Sequence, residues 1–300
     1  MLKMTDVSIG IDLGGTRIKA VAIDKSGNIL NQFFHSTSDN EDMTWKDTVK
    51  KAVHEVQNKI RTQNTVIGIS APGLPNANNS AIAFMPGRLE GLENFNWSGF
   101  LGTRTFVLND AVSAIMAEAR FGVAKSRKNV AMLTLGTGVG GAILIDGKPY
   151  QGAFNKAGHI GHMVIDSNGV PDITGMPGSL EDAIGNCSII KRSFGKFNST
   201  QKLLEAFRNG DNFAAEVWLT SVKKLAIGLA SLTNILSPEM IILAGGITNA
   251  GKELFAPLEK YMSIFEWRAG GNKTEIVKAH FGELSGAIGA ACFARENYSD

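Results

Sequence analysis

The chain carries one short pattern twice, about half its length apart: a β-rich apolar run, a glycine turn, and a second β-rich run. Val7 to Leu13 and Thr16 to Asp24 flank Gly14-Gly15, while Val130 to Leu135 and Val139 to Ile145 flank Gly136-Thr137-Gly138. Strand formers joined by a tight glycine turn predict a hairpin. The interval is far longer than the roughly 20–50 residues of a solenoid repeat. The echo therefore predicts two similar lobes, with the cleft between them as the expected site.

The elements between the two hairpins follow from periodicity. Asn28 to Ser36 can supply a third strand after the Ser26-Gly27 turn. Asp42 to Arg61 places Trp45, Val49, Ala52, Val53, Val56 and Ile60 on one helical stripe, and Val66 to Ile69 reads as a buried strand. Arg104 to Leu108 predicts another strand, followed by a helix over Ala111 to Phe121 that Asn109-Asp110 opens and Gly122 closes. After an irregular stretch from Gln151 to Gly178, helices are expected at Leu180 to Ile190, Gln201 to Asn209 and Asp211 to Leu236. Met240 to Ala244 is a strand ending in Gly245-Gly246, and a final helix covers about Leu284 to Glu296. The expected division is an N-terminal lobe over 1–112, onto which a C-terminal helix within 284–300 packs back, and a C-terminal lobe over 113–283.

With 300 residues, 44% of them hydrophobic, the chain can bury two cores. Its net charge of +2 arises from 30 basic and 28 acidic residues without long like-charge blocks, which implies neither nucleic acid nor an anionic membrane as partner. Small molecules are the expected partners. Cys187 and Cys292 are its only cysteines and lie far apart, which fits a reducing compartment, and the N-terminus shows no signal-peptide core; both point to the cytoplasm. The apolar stretch Leu225 to Pro238 is too short to span a bilayer.

The glycine turns suit phosphate. In Gly14-Gly15-Thr16 the missing Cβ atoms let backbone N–H groups approach phosphate oxygens, and Thr16 adds a hydroxyl. Asp12, on the preceding strand, is placed to hold Mg²⁺ through water. An ordinary Gly-Gly hairpin is the alternative. Gly136-Thr137-Gly138-Val139-Gly140-Gly141 satisfies the dinucleotide spacing but runs into strand rather than helix, which excludes a Rossmann turn. Neither cluster continues as Gly-Lys-Ser/Thr, so neither is a Walker loop. Two phosphate turns, with Gly245-Gly246 for the nucleoside, form a candidate ATP clamp.

Asn109-Asp110 stands where a strand hands over to a helix, whose N-terminal partial charge favours a carboxylate. Asp110 there can orient and deprotonate a hydroxyl; phosphoryl transfer, with its loose transition state, asks the base for position more than basicity. Simple helix capping is the competing reading.

Asp12-Leu13-Gly14-Gly15-Thr16, Asn109-Asp110-Ala111, Leu135 to Gly141 and Ala244-Gly245-Gly246 together resemble the successive motifs of the ROK (repressor, open reading frame, kinase) sugar kinases, in order and spacing. The resemblance spans nearly the whole chain. It implies an α/β, two-lobed actin-like ATPase (ribonuclease H-like) fold with an interlobe cleft, Mg-ATP as donor, a hexose or N-acetylhexosamine as acceptor, usually a homodimer, Asp110 as base and Asn109 on the sugar. Family repressors carry an added helix-turn-helix ahead of the first strand; here that strand starts at about Val7, which favours the kinase branch.

Two departures stand out against that pattern. The family's Glu-x-Gly-His is His159-Ile160-Gly161-His162 here, so an imidazole replaces a sugar-facing carboxylate. The family's zinc motif, Cys-x-Cys-Gly-x-x-Gly-Cys-x-Glu, aligns with Asp172 to Glu181, with Asp172, Thr174 and Ser179 at the cysteine positions. With His162 these offer too few soft ligands, so no zinc is expected. The resemblance carries sugar contacts onto His159, His162 and Glu181, although His162 could equally pack and Glu181 could serve only its helix dipole. Ser70-Ala71-Pro72-Gly73 resembles the family's turn at the pocket wall, with Gly73 as a contact, or is only a turn. Arg88 either stands in for a family asparagine or is a solvated loop arginine.

Overall fold

A computed structural model describes residues 7–37, 43–61 and 65–298. In chain order the first elements are β1 (Val7–Leu13), β2 (Arg17–Asp24), β3 (Ile29–Ser36), α1 (Thr44–Ile60) and β4 (Val66–Ala71). Then come β5 (Leu74–Pro75), β6 (Ile82–Phe84), α2 (Trp97–Leu101), β7 (Thr105–Asn109) and α3 (Asp110–Phe121). Next are β8 (Val130–Leu135), β9 (Val139–Ile145), β10 (Lys148–Pro149), α4 (Leu180–Ile184), α5 (Ile189–Arg192) and α6 (Thr200–Arg208). The chain closes with α7 (Asn212–Leu236), β11 (Met240–Ala244), α8 (Lys252–Phe265), β12 (Glu275–Lys278) and α9 (Ser285–Asn297). Asp42, where the sequence starts the α1 helix, lies outside the described residues. No helix among the described residues is long and apolar enough to cross a membrane.

The chain divides into two compact units: residues 1–126, 149–157 and 280–300 form one, and 127–148 and 158–279 the other. In the first, a five-stranded sheet runs β3-β2-β1-β4-β7, with an antiparallel meander on one side of β1 and parallel β4 and β7 on the other. The apolar stripe of α1 (Trp45, Val49, Val53) joins Ile9, Ile11, Ile67, Ile69 and Trp97 in one core. α9 covers the opposite face. It can approach because Gly10 and Gly68 are register partners on β1 and β4, and a Cβ on either would run into the carbonyl of Ala287 or Ala290.

The second unit repeats the sheet pattern as β10-β9-β8-β11-β12, with β8 and β9 antiparallel and β11 parallel to β8 and β12. Its core is built on α7, whose Trp218, Leu225 and Leu229 pack with Leu133, Ile241 and Leu243. The Trp218 indole N–H donates to the Glu253 carbonyl at 2.8 Å, satisfying the one polar atom of that buried ring. The helix expected over Leu180 to Ile190 is instead two helices. Gly185 leaves helical geometry (φ −58, ψ 149), and the Arg192 guanidinium donates to the Gly185 carbonyl that the break exposes.

Candidate active site

Parallel strands bring their C-terminal ends to one edge of a sheet, where loops can converge on a ligand. In the first unit, Asp12 pairs with Ser70 across β1 and β4, and Ser70 with Leu108 across β4 and β7, so Asp110 begins α3 just beyond the row that Asp12 occupies. The Ser70 hydroxyl donates to Asp12 Oδ1 at 2.9 Å, and Lys19 Nζ reaches Oδ2 at 3.0 Å. Lys19 also donates to the Glu283 carbonyl at 2.7 Å. Asp12 is thus held at a fixed position beside the Gly14-Gly15-Thr16 turn, which closes with a Gly14 N–H to Arg17 O bond of 3.0 Å.

Asn109 and Asp110 divide the work at the start of α3. Asn109 is the N-cap: its Oδ1 accepts from the Ala111 N–H at 2.9 Å, and its Nδ2 donates to the Gly73 carbonyl at 3.1 Å. Gly73 is forced to be glycine by φ +100 and by the Phe84 carbonyl and the Ile82 and Met85 side chains, which a Cβ there would meet. The cap belongs to Asn109, which is buried, while the Asp110 side chain is left exposed, its Oδ1 accepting the shared Ala111 N–H at 2.8 Å. Water reaches the carboxylate, yet the surrounding protein withholds full hydration. This desolvation, followed by the neighbouring Asp12 carboxylate, pushes the Asp110 carboxyl up, against the Ala111 N–H and the Arg88 guanidinium, which pull it down.

The second unit assembles the other half of the predicted residues. Ala244 pairs with Thr134 across β11 and β8, so Gly245 meets the base of the Gly136–Gly138 turn; at φ +88, a Cβ there would collide with the Leu135 carbonyl. Gly136, Thr137 and Gly246 line one cavity of about 440 Å³ together with Asn186, Thr200, Gln201 and Arg208. The Thr200 hydroxyl is buried at that wall without a hydrogen-bond partner. Asn186 ties the wall to the turn: its N–H donates to the Gly136 carbonyl at 3.0 Å and its side-chain oxygen accepts from Thr200 N–H at 2.7 Å. None of these four polar side chains was singled out from sequence; their signal exists only once α6 and the turn are folded together.

Glu181 sits in the first turn of α4 and accepts from the Val139 N–H at 2.8 Å, so its carboxylate braces the Gly136–Gly138 turn, and a Cβ on Gly138 would strike it. The short 3-10 turn Ile160–His162 packs under β9, with Gly161 against the Val139 carbonyl. The rings of His159 and His162 lie parallel, 6.4 Å apart between centroids. Burial, then the adjacent His162, lowers the His159 pKa and favours a neutral ring. His162 Nδ1 faces Asp172 Oδ2 at 3.3 Å.

A model of the ROK family matches residues 8–297. The glucokinase of Streptomyces coelicolor is 29% identical over 322 residues, spanning 97% of this chain and 98% of that protein. Among solved structures, the ROK hexokinase of Thermus thermophilus aligns with a TM-score of 0.88 at 25% identity, over 98% of this chain and 99% of that one. The ROK family glucokinase of Streptomyces griseus, in complex with glucose and AMPPNP, aligns with a TM-score of 0.79 at 25% identity, over 97% of this chain and 100% of that one.

Proposed function

The chain belongs to the ROK family and shares the actin-like ATPase fold of its sugar kinases, and from that premise we propose that it transfers the γ-phosphoryl group of Mg-ATP to a hydroxyl of a hexose, with glucose at the 6-hydroxyl as the first candidate. The observation that carries this reading is the division of labour at α3: Asn109 takes the capping role and leaves the Asp110 carboxylate exposed beside Asp12.

In the proposed step, Asp110 accepts the proton of the sugar hydroxyl as the hydroxyl oxygen forms its bond to the γ-phosphorus. The bond from that phosphorus to the β,γ-bridging oxygen breaks, and ADP leaves with the electron pair. Asp12 would hold the magnesium of Mg-ATP through water, and Gly14, Gly15, Thr16, Gly136, Thr137 and Gly138 would supply phosphate donors. The cavity at Gly245-Gly246 receives the nucleoside. Asn109, Gly73, His159, His162 and Glu181 contact the sugar. The similarity to a glucokinase whose structure holds glucose and an ATP analogue supports both substrates. A homodimer in the cytoplasm belongs to the same reading, checked by sedimentation and fractionation.

The test is ADP release with Mg-ATP against a panel of hexoses and N-acetylhexosamines, with Asp110→Asn as control. Turnover on a hexose that the substitution abolishes supports the proposal. Turnover on an N-acetylhexosamine alone would move the acceptor, and sugar binding without turnover on any member would replace the kinase with a sugar-binding regulator.

A further inference from the structure

The loop between the 3-10 turn and α4 is organised around one buried carboxylate. The Asp172 side chain is only 1% exposed although the loop around it is largely open. Its Oδ1 accepts from the Thr174 N–H at 2.8 Å, the Thr174 hydroxyl at 2.7 Å and the Met176 N–H at 3.1 Å. Its Oδ2 faces His162 Nδ1, and the Ser179 hydroxyl bonds the same carboxylate. Four positions that in the resembling family would surround a zinc ion (His162, Asp172, Thr174 and Ser179) therefore do meet, but around an acceptor rather than a cation. Two hydroxyls and a carboxylate already saturated with donors do not fit a tetrahedral zinc site.

We propose that Asp172 is a positioning residue: it takes over the ordering of this loop and fixes His162 as the Nδ1–H tautomer, leaving Nε2 as a hydrogen-bond acceptor for a sugar hydroxyl. An ionised carboxylate has no proton to give, so the ring nitrogen that bonds it must be the one that carries hydrogen. Burial alone would raise the Asp172 carboxyl, but the hydrogen bonds from Thr174 and Ser179 and the two backbone N–H groups outweigh it and hold it well below the usual carboxylate range. The tautomer bears on substrate binding because His159 replaces the carboxylate expected three residues earlier. A ring acceptor at His162 restores one of the acceptors that this replacement removes.

The sugar contact of His162 rests on the kinase reading above; the tautomer does not, so the two can fail separately. The experiment uses the full chain labelled with ¹⁵N-histidine, the proton–nitrogen correlation pattern of His162 as readout, and sugar kinetics in parallel. Wild type is expected to show Nδ1 protonated. Asp172→Asn keeps the oxygen that holds Thr174 and Met176 but turns an amide N–H₂ toward the ring; the proton then moves to Nε2, and sugar KM rises about tenfold with kcat nearly unchanged. Thr174→Val loosens the loop without touching the ring and leaves the tautomer as it was. An Nε2–H tautomer in wild type, an unchanged pattern in Asp172→Asn, or one zinc ion per chain in the purified protein would overturn the proposal. If the tautomer switches while His162→Ala leaves sugar KM unaltered, the sugar contact is wrong and the Asp172 assignment stands.

Discussion

Glu118, on α3, is completely buried and its carboxylate binds three backbone N–H groups: His280 at 2.7 Å and Phe281 at 2.9 Å through Oε1, and Val123 at 3.0 Å through Oε2. These amides belong to the segments by which the chain leaves the first unit after Ser126 and re-enters it at His280. Glu118→Ala removes the acceptor and leaves three donors to find water or go unpaired, at about 1–3 kcal/mol each. Allowing partial rescue by water entering the vacated space, we expect a loss of about 4 kcal/mol. Unfolding entropy near 2.1 cal/mol/K per residue comes to about 0.6 kcal/mol/K for 300 residues. Calorimetry should then show Tm lowered by about 6 °C, and by more if the unit melts alone with its smaller entropy. Glu118→Gln keeps one oxygen for His280 and Phe281 but sets an amide N–H₂ against Val123, and should cost about half as much. Amide exchange localises the effect: His280, Phe281 and Val123 should lose protection in the alanine variant. A Tm within 1 °C of wild type, or retained protection at His280 and Phe281, would refute the reasoning.

Asp110→Asn should lower kcat by about 10²–10⁴, the usual worth of a positioned base, with ATP and sugar binding by calorimetry retained. The same variant should be more stable than wild type near neutral pH. A carboxyl whose folded pKa lies above its unfolded value binds protons more readily in the folded state, so its contribution falls as pH rises through that pKa, and a neutral amide escapes the penalty. In wild type, kcat/KM should fall on the acid side with a midpoint above the ordinary aspartate value, and an acid limb at or below that value would contradict the raised pKa. Gly138→Ala drives a methyl into the Glu181 carboxylate that braces Val139; ATP KM should rise at least tenfold in the ADP-release assay. Gly245→Ala adds strain at φ +88 and a clash with the Leu135 carbonyl, so chemical denaturation should show a loss of about 1–3 kcal/mol.

What could be read from sequence alone was what is local. The two glycine hairpins, the stripe of α1 and the strand-to-helix handover at Asn109-Asp110 each declare themselves within a dozen residues, because alternation, periodicity and capping are short-range rules. α8 was hidden: it starts at Lys252 after Gly251 without a side-chain cap and carries Pro257 inside, a residue that normally argues against a helix interior. β12 is four residues at a sheet edge, paired only with β11, and its burial pattern of exposed and half-buried positions offers no alternation strong enough to see.

The site divides in the same way. Residues whose role follows from backbone geometry, such as Gly73 and Gly245, are marked by being glycine, whereas Asn186, Thr200 and Asp172 act through partners set 14, 14 and 10 residues away along the chain. Asp172 shows why substitution patterns mislead when read one position at a time. As a missing cysteine it signals only loss, but with Thr174, Ser179 and His162 folded around it, the same four positions form a closed set of donors about one acceptor. A metal centre needs every ligand to be electron-rich, and a carboxylate centre needs every neighbour to be a donor. An aspartate can itself ligate zinc, so it is the hydroxyls of Thr174 and Ser179 at the other two cysteine positions, beside the imidazole of His162, that turn this set from ligands about a cation into donors about an acceptor.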